Sequence, residues 1–363
     1  MNIAFIVPKL IKTGPILVVE ELCYELVSTG HNVKVFFFSN ADEPYGFYNI
    51  PSKKIEIKDI KKFSKFDIVH SHCFIPDLFV SIFRSFIGKE KIISTLHNYV
   101  ADDPYLDYVP IKAMIISKIW IFNLRRINNL VALSEGAVSY YSKILPNANL
   151  SFCYNGLNFN KISNLSFIDN DNDNDIALLK KLKNDSTILG TCCNLTYRKG
   201  VDLSIKALSI LPSSFVLVII GDGVERVRLE ALVTTLKLDD RVFFLGQKRN
   251  PFPYFTFFDN YLMPSRSEGF GLAVVEACSL VNKVVISDIT TFRELFSSYN
   301  GKGFYFFESD CSVSLSESIL ASSKDDAIPK INDDMLNFVR INFSSNNLAR
   351  NYLSTYERLL NIV

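Results

Sequence analysis

The sequence lacks an excess of charge of either sign and lacks any paired-cysteine motif. Among its 363 residues, 39 lysines and arginines nearly balance 38 aspartates and glutamates, so the net charge is +1. A balance this even gives no reason to expect binding to nucleic acid. The seven cysteines include no C-x-x-C spacing and most lie in apolar runs, which predicts reduced, buried thiols rather than disulfides or a zinc site.

Long apolar runs are missing as well. The nearest candidate, Ile111 to Leu124, is interrupted by Lys112 and Lys118 and is too short to span a bilayer. The first residues lead directly into a strand-like run, Asn2 to Val7, without the basic start and cleavage site of a signal peptide. We therefore expect a cytoplasmic protein.

Glycine is sparse in the first strand-to-helix connection, where dinucleotide-binding enzymes carry G-x-G-x-x-G. Only Gly14 is present there. The full pattern supplies the tight turn and the close backbone approach that a pyrophosphate needs. Its absence argues against a nicotinamide or flavin enzyme, and we expect no cofactor.

Short runs rich in Val, Ile and Phe alternate with helical patterns along the first half. This alternation is typical of parallel strands that are buried on both faces and connected by helices, and it predicts a doubly wound parallel sheet. A helix is predicted from Pro15 to about Thr29, with proline in its first turn and Gly30 as its end signal. The predicted strands are Ile3–Val7, Val33–Phe38, Asp67–His70, Ile92–Leu96 and Leu130–Leu133.

A second alternating run begins near Thr187 and predicts a second α/β domain. Its strands are expected at Thr187–Cys192, Phe215–Ile220, Arg241–Leu245, Tyr261–Pro264 and Val284–Ser287. Between the halves, Lys161 to Ser186 contains the polar tract Asp169–Asp175 and is predicted to be a linker or an exposed insertion. The segment Ala327–Val363 is predicted to be helical. We therefore place one domain at residues 1–160 and another at 161–344, with a helix at about 345–363 packing back on the first.

The most specific motif is the segment Ser267–Ala277, which follows a predicted strand and opens a helix. Backbone amides of such a turn point outward and, together with the helix dipole, favour an anion. Glycine lets a phosphate or a sugar approach the backbone closely. The residues of this turn are Gly269, Phe270, Gly271 and Leu272.

Two carboxylates flank this turn. Glu268 stands before it, where it can accept hydrogen bonds from hydroxyls, and Glu276 follows eight residues later, about two helical turns on. The neighbours of Glu276 are apolar, and a buried carboxylate needs a partner. The alternative is a glutamate that stabilises the helix start and another on the helix surface. We favour a ligand that has both phosphates and hydroxyls.

A second motif, Asn194–Asp202, also joins a predicted strand to a helix. Arg198 and Lys199 at this junction would hold a diphosphate by charge-assisted hydrogen bonds, although a solvated basic pair has the same pattern. Further strand ends are expected at the same sheet edge, where open α/β sheets bind ligands. They carry Gly221, for which a plain turn is the alternative, and Gly246 with Gln247.

All four histidines fall in the first half of the chain. His97 closes a predicted strand at its carboxyl end, which is expected to face a cleft. His70 and His72 share one side of a strand end and would suit a metal pair, but no third ligand has an obvious spacing. We predict no metal site.

Together these motifs resemble the GT-B glycosyltransferases, specifically the retaining family numbered four. Glu268 through Glu276 matches the family's E-x7-E signature. Asn155-Gly156 is similar to the pair before its interdomain linker, Leu133-Ser134 to one of its strand ends, and Asp67–His72 to its histidine-containing strand. The likeness covers nearly the whole chain. It implies two Rossmann-like domains facing a cleft, with the nucleotide-sugar on the C-terminal domain and the acceptor on the N-terminal one.

The resemblance also implies roles for single residues. Glu268 and the amides after it would hold the donor sugar, Glu276 would bond the ribose hydroxyls, and Lys199 would neutralise the diphosphate. His97 would reach the sugar near the reacting carbon from the opposite domain. The predicted catalytic residues are therefore His97, Lys199 and Glu268. The predicted donor-binding residues are Gly14, Asn194, Arg198, Lys199, Gly221, Gly246, Gln247, Glu268, Gly269, Phe270, Gly271, Leu272 and Glu276.

One departure concerns charge. The family usually carries Arg five residues before its Lys, and this chain has Asn194 there. We expect Arg198 to take over that charge. The leaving nucleoside diphosphate would then be stabilised by cations of the protein, without a metal ion.

The first domain is modestly basic, because residues 1–160 hold 17 Lys and Arg against 14 Asp and Glu, a difference of +3. Within it, Ile111–Arg126 mixes large apolar residues with four cations. This segment either lies on an anionic membrane as a peripheral contact or packs on the sheet as an amphipathic helix with a basic rim. The membrane interpretation suits a glycan or lipid-linked acceptor, as in bacterial O-antigen or capsule synthesis.

Two alternatives to transfer keep the same fold. One is a nucleotide-sugar 2-epimerase, which needs acid and base carboxylates, but no clear pair is present beyond Glu268. The other is a non-catalytic partner subunit, for which Asn194 leaves room. Incubation with donor alone separates an epimerase from a transferase, and nucleotide binding without transfer would indicate the non-catalytic subunit.

Overall fold

The computed structural model describes residues 1–39, 47, 49–166, 173–325 and 332–361. The chain forms two compact units. The first consists of Met1–Leu157 together with Phe343–Val363, and the second of Asn158–Asn342. The chain therefore leaves the first unit once and returns to it at its end.

The first unit is built on a parallel sheet. Its strands are β1 Asn2–Lys9, β2 Asn32–Ser39, β3 Ser52–Lys54, β4 Ile68–His72, β5 Ile92–Leu96, β6 Asn129–Ala132 and β7 Asn149–Phe152. Over the residues described, these seven strands lie in the order β3-β2-β1-β4-β5-β6-β7. Strands β4, β5 and β6 are buried throughout, as expected when helices cover both faces.

Helices connect these strands. They are α1 Gly14–Ser28, α2 Phe74–Ile87, α3 Asp103–Asp107, α4 Pro110–Leu124 and α5 Glu135–Ile144, with 3-10 helices at Ile57–Lys65 and Lys89–Lys91. Helix α1 has Pro15 in its first turn and faces the core with Val19, Leu22 and Leu26. This apolar spacing is the one that predicted the helix.

The second unit has the same layered construction. Its strands are β8 Thr187–Cys192, β9 Phe215–Ile220, β10 Val242–Gly246, β11 Asn260–Met263, β12 Val284–Ser287 and β13 Phe304–Phe307. In the described chain these form a parallel six-stranded sheet in the order β10-β9-β8-β11-β12-β13. Its helices are α6 Phe159–Ser166, α7 Asn174–Asp185, α8 Val201–Ile210, α9 Arg226–Thr235, α10 Phe252–Phe255, α11 Leu272–Cys278, α12 Thr290–Leu295, α13 Ser312–Ser323 and α14 Asp333–Asn342, with a 3-10 turn at Tyr197–Lys199.

These two Rossmann-like sheets confirm the predicted α/β class. All ten predicted strands are present, and three of the second set have the predicted bounds. Three strands were not predicted. Strand β3 is a three-residue edge strand of polar residues, and β7 and β13 are four-residue edge strands. Neither β3 nor β7 shows the fully apolar pattern of a central strand, and β13 is aromatic throughout but short.

The predicted linker over Lys161–Ser186 is wrong for the described residues, which contain helices α6 and α7. Asp173 begins α7 as its N-cap, because its carboxylate accepts from the amides of Asp175 and Ile176. Ile176 and Leu179 of this helix are buried. The aspartates of the polar tract therefore include a helix-start signal. Residues 169–172 of that tract lie outside the described residues.

The last helix, α15 Ser345–Leu359, belongs to the first unit and packs on α1. Its Tyr352 and Tyr356 are fully buried, and Ser345 Oγ donates to Glu25 Oε1 at 2.6 Å. Residues 327–331 and 362–363 of the predicted helical segment lie outside the described residues. Among the residues described, no helix is both long and apolar enough to pass through a bilayer.

Candidate active site

A compact charge cluster lies in the second unit, where the 3-10 turn after β8 meets the loop after β11. Lys199 Nζ is 2.5 Å from Glu268 Oε1, and Arg198 Nη1 is 3.5 Å from Glu268 Oε2. Ser265 Oγ donates to Glu268 Oε1 at 2.7 Å. We call Arg198, Lys199 and Glu268 the site triad. Two cations and one anion leave this triad with a net charge of +1.

The triad is largely withdrawn from solvent. The side chains of Glu268, Lys199 and Arg198 are 6%, 15% and 16% exposed. Burial alone would raise the pKa of the Glu268 carboxyl, but Lys199 and Arg198 outweigh it, so that pKa lies below its usual range. Glu268 is therefore ionised at neutral pH. The surplus positive charge sits in a poorly solvated place, where it attracts an anion more strongly than on the surface.

Local backbone geometry brings the triad together. Gly200 ends the 3-10 turn with φ of +66°, and a Cβ there would come within 2.0 Å of the Pro264 carbonyl oxygen. Glycine is thus required for this close approach. The Arg266 amide donates to the Arg198 carbonyl at 2.8 Å, which joins the turn to the loop that carries Glu268.

A second salt bridge fixes the same junction. Arg266 Nη1 and Nη2 donate to the two carboxylate oxygens of Asp202 at 2.9 and 3.1 Å. Arg266 Nη1 also donates to the Tyr197 carbonyl at 2.7 Å, and its guanidinium lies 4.0 Å from the centre of the Tyr197 ring. We call Arg266, Asp202 and Tyr197 the Arg266 bridge.

The Arg266 bridge is buried at its acidic end, because Asp202 is 3% exposed. Burial opposes ionisation of Asp202, but Arg266 and Lys206 outweigh it and lower the pKa of that carboxyl. This bridge was not predicted from the sequence. A signal was available for its acidic end, since Asp202 stands between the apolar residues Val201 and Leu203 in the first turn of a helix.

Glycines at the ends of β9 and β10 shape the neighbouring loops. Gly221 has φ of +128°, and a Cβ there would lie 1.9 Å from the Cys193 carbonyl oxygen. The Gly221 amide donates to the Gly246 carbonyl at 2.8 Å. Gly221 therefore serves close packing of adjacent strand ends, and its predicted donor contact stays a prediction. Gln247 and Asn194 are exposed beside these ends, and their predicted donor contacts stay predictions.

The glycine-rich turn leads into α11 as the motif predicts. Gly271 has φ of +88°, and a Cβ there would lie 2.5 Å from the Phe292 ring. Phe270 is buried. Thr291 Oγ1 donates to the Glu268 carbonyl at 2.7 Å, which anchors the turn to α12. The packing of Gly271 against Phe292 and the hydrogen bond from Thr291 thus fix the turn that contains the amides of Gly269 and Leu272.

Glu276 is half-buried on α11. It lies within electrostatic range of Tyr261, whose hydroxyl donates to the Cys192 carbonyl at 3.2 Å. The next residue, Cys193, has its pKa raised to about 11 by burial, and it lies within range of Lys199 and Glu268. The carboxyl end of β8 therefore lies near the site triad, and Tyr261 lies near Glu276. A common site for the two predicted carboxylates stays a prediction.

Three buried imidazoles lie at strand ends in the first unit. His97 Nε2 is 2.9 Å from His72 Nδ1, and burial lowers the pKa of His97 to about 3. His70 contacts Tyr356 Oη through Nδ1 and Thr95 Oγ1 through Nε2, both at 2.7 Å. Burial also lowers the pKa of His70 and His72 well below the usual range. All three rings are therefore neutral at physiological pH.

The histidines do not form a metal cage with neighbouring side chains. Within the described part of the chain, no three His, Cys, Asp or Glu residues group in a way that would hold a metal ion. Both nitrogens of His70 already have hydrogen-bond partners. Gly14 is half-buried and starts helix α1 in the same unit, and its predicted place under the phosphates stays a prediction.

Comparison with known proteins gives matches over both units. The model of the family described as "Glycosyl transferases group 1" matches residues 174–334. The O-antigen biosynthesis glycosyltransferase WclY of Escherichia coli is 35% identical over 308 residues, which cover 82% of each chain. N-acetyl-alpha-D-glucosaminyl L-malate synthase of Bacillus anthracis is 24% identical over 259 residues, 67% of this chain and 63% of that protein.

Solved structures with the same fold were also found. HepE of Anabaena in complex with UDP-glucose superposes with a TM-score of 0.81 at 16% identity, over 99% of this chain and all of that one. WaaG, a glycosyltransferase involved in lipopolysaccharide biosynthesis, superposes with a TM-score of 0.70 at 15% identity over 99% of each chain. At such low identity the structures show the GT-B fold.

Proposed function

The chain belongs to the group 1 glycosyltransferases, and from that membership we propose that it transfers a sugar from a nucleotide-diphosphate-sugar to a hydroxyl of a glycan or lipid-linked acceptor. We propose further that it is a retaining enzyme of family four. The WclY enzyme, 35% identical over most of its length, is named for O-antigen biosynthesis. We therefore assign the chain to bacterial surface polysaccharide synthesis, at the cytoplasmic side of the membrane.

The observation that carries the proposal is the site triad with its surplus positive charge. When the bond between the sugar and the diphosphate breaks, negative charge gathers on the phosphate oxygens. Lys199 and Arg198, already fixed by Glu268, would stabilise that charge without reorganising. Because these cations belong to the chain, we propose that transfer requires no metal ion.

The carboxylates supply the remaining contacts of the proposed donor site. Glu276 would accept hydrogen bonds from the ribose hydroxyls, and the Glu268 loop would hold the sugar. In a retaining reaction, the acceptor hydroxyl arrives on the face from which the diphosphate leaves. The sugar carries positive charge as the bond breaks. His97 is proposed to act on this sugar as a neutral group, since its pKa of about 3 keeps it unprotonated.

A ligand screen tests the donor assignment. The melting temperature of the chain is measured with UDP, GDP, ADP and their sugars, because a ligand that binds the native state raises it. We expect one nucleotide family to raise it, and a Lys199→Ala variant to respond less. Lys181→Ala is the control, since Lys181 is exposed on α7 away from the triad. A chain that responds to none of these ligands would contradict the donor proposal.

The reaction itself is tested with donor and without acceptor. A transferase leaves the sugar of the donor unchanged in its configuration at C2, whereas a 2-epimerase converts it. With a lipid-linked glycan acceptor and excess chelator, we expect transfer to continue at an undiminished rate. NMR of the new linkage reports retention or inversion. Loss of transfer on chelation would refute metal independence, and an inverted linkage would refute the family-four assignment.

A further inference from the structure

His72 and His97 lie side by side at the ends of two neighbouring strands of the first unit. His72 is the last residue of β4 and pairs with Thr95 of β5, and His97 follows two residues after Thr95. The centres of the two rings are 5.2 Å apart, and His72 Nδ1 is 2.9 Å from His97 Nε2. The register of adjacent strands therefore brings the two imidazoles into direct hydrogen-bond contact.

His72 is completely buried and has little freedom to move. The rings of His70 and Phe5 pack against it, with centres 4.1 and 5.8 Å from its own. The next residue, Cys73, has φ of +73° and ψ of 172°, a backbone conformation that residues other than glycine rarely adopt. Such strain persists only where the surrounding structure enforces it, and it is found most often at functional sites. Both the ring and the backbone of His72 are thus held in place.

The second ring nitrogen of His72, Nε2, is buried and has no hydrogen-bond partner among the residues that the structure describes. The adjacent ring of His70 does not supply one, because Tyr356 and Thr95 occupy both of its nitrogens. A neutral imidazole has one N–H donor and one nitrogen that accepts. The contact with His97 is therefore the one hydrogen bond that decides where the proton of His72 lies.

Two arrangements of the protons satisfy this contact. Burial lowers the pKa of both rings, so both are neutral. If His97 donated from Nε2, His72 would carry its proton on Nε2, a buried N–H without an acceptor. If His72 donates from Nδ1, its Nε2 keeps only an unused lone pair. Buried N–H groups without an acceptor are rarer in proteins than unsatisfied acceptors, which favours the second arrangement and places the proton of His97 on Nδ1.

We propose that His72 is a positioning residue, which fixes His97 in the tautomer protonated on Nδ1 and so presents it to the donor sugar as a hydrogen-bond donor. This rests on the sugar transfer proposed above, and it adds the direction of the hydrogen bond that His97 makes. The accepting nitrogen of His97, Nε2, is already occupied by His72. A hydroxyl oxygen of the sugar accepts from Nδ1–H, and no proton is transferred.

Nitrogen NMR of the ligand-free chain tests the tautomer directly. The chain contains four histidines, so protein labelled with ¹⁵N-histidine gives few ring signals, and His97→Asn and His72→Leu variants identify those of the pair. We expect a protonated, pyrrole-type Nδ1 and an unprotonated, pyridine-type Nε2 in both rings. A proton on Nε2 of His97 would overturn the proposal, whether or not the chain transfers sugar.

A matched pair of variants separates positioning from packing. Leucine and asparagine have nearly the same shape, but only asparagine can offer an N–H close to the place of His72 Nδ1. We expect His72→Leu to leave His97 as a mixture of both tautomers and to lower kcat about tenfold, with KM for the donor within a few-fold. His72→Asn should keep the His97 signals of the parent chain and most of its kcat.

His31→Leu is the control, since His31 is half-buried and precedes β2 at the opposite edge of the sheet. Circular dichroism melting shows whether each variant is folded. If His72→Leu does not fold, the parent spectrum still decides the tautomer. Unchanged His97 signals in a folded His72→Leu variant, or an equal loss of kcat in His72→Leu and His72→Asn, would refute the role of His72. A parent chain that shows the expected tautomers but transfers no sugar would instead refute the proposed function.

Discussion

At the scale of single residues, Glu268 has two structural roles. Its carboxylate fixes Lys199 and Arg198 by charge, and its carbonyl accepts from Thr291. A carboxylate this buried needs its partners, because an uncompensated buried charge is strongly unfavourable. In the proposed donor site, Glu268 would therefore hold both cations in place before a diphosphate arrives.

Lys199→Ala is expected to reduce kcat by on the order of 100-fold, which is the usual effect of removing one preorganised group that stabilises developing charge. Donor affinity should change less, because Arg198 remains. Kinetics at saturating donor give kcat, and equilibrium binding gives the affinity. Lys181→Ala serves as the control. A Lys199→Ala enzyme with nearly normal turnover would remove this lysine from the mechanism.

Glu276→Ala is expected to act on binding. A hydrogen bond to a charged group contributes about 1.5 to 3 kcal/mol, so donor affinity should fall roughly 10-fold to 100-fold with kcat less affected. Calorimetric titration with the nucleotide measures the change. Glu230→Ala is the matched control, since Glu230 is an exposed glutamate on α9. Unchanged affinity in Glu276→Ala would show that α11 does not hold the ribose.

At the scale of elements, the Arg266 bridge joins the turn after β8 to the loop after β11. Three hydrogen bonds from one guanidinium reach the Tyr197 carbonyl and both oxygens of Asp202. Such a fork is specific to arginine, because lysine cannot donate to both carboxylate oxygens in the same geometry. We therefore expect Arg266 to position Lys199 by fixing this turn, without touching the donor.

Arg266→Ala should lower kcat by about tenfold while KM for the donor stays within a few-fold, because small displacements of catalytic groups reduce rate strongly. It should also destabilise the chain by about 3 kcal/mol, since Asp202 is left buried without its main partner. Adding Asp202→Asn removes that charge. We expect the double variant to regain stability but not kcat. Recovery of both would mean that the bridge is structural only.

Much of the second unit's site follows from sequence, and the reasons are local. A glycine-rich turn before a helix and a basic pair after a strand each have a short-range cause, so Glu268, Lys199 and Gly271 were recognisable. The pairing of Lys199 with Glu268 spans 69 positions, and the contact of Arg266 with Asp202 spans 64. Such contacts depend on which strands are neighbours in the sheet, which the local pattern does not specify.

At the scale of the whole molecule, stability should depend on pH through the buried imidazoles. The folded pKa of His70, His72 and His97 lies below the unfolded value of about 6.5. The unfolded chain therefore takes up protons that the folded chain does not. Their contribution to stability is complete above about pH 6.5 and is lost as the pH falls.

One buried acid works in the opposite direction. Burial raises the pKa of Asp77 to about 6, despite hydrogen bonds from Ser94, Trp120 and Ser71. The folded chain thus holds one proton between about pH 6 and the unfolded value of about 3.9. The three buried imidazoles outnumber this one buried acid, so we expect the unfolding free energy to fall as the pH drops from about 6.5 towards 5.

Chemical denaturation at a series of pH values measures this slope. His72→Asn should reduce this slope, because one imidazole fewer takes up a proton on unfolding. Asp77→Asn should steepen it, because the folded chain then holds no proton at this position. A stability that does not change between pH 7 and pH 5 would contradict the burial of neutral imidazoles. The ion pairs of Glu268 and Asp202 are lost only at lower pH, because the pKa values of both carboxyls lie below their usual range.

The path of the chain has a consequence for its synthesis. When translation reaches Asn342, every residue of the second unit has been synthesised, whereas the first unit still lacks Phe343 and the residues after it. Until α15 has been synthesised, His70 lacks its hydrogen-bond partner Tyr356, and the side of α1 on which α15 packs is exposed. Since domains generally fold as units during translation, the part that begins first is the one that finishes last.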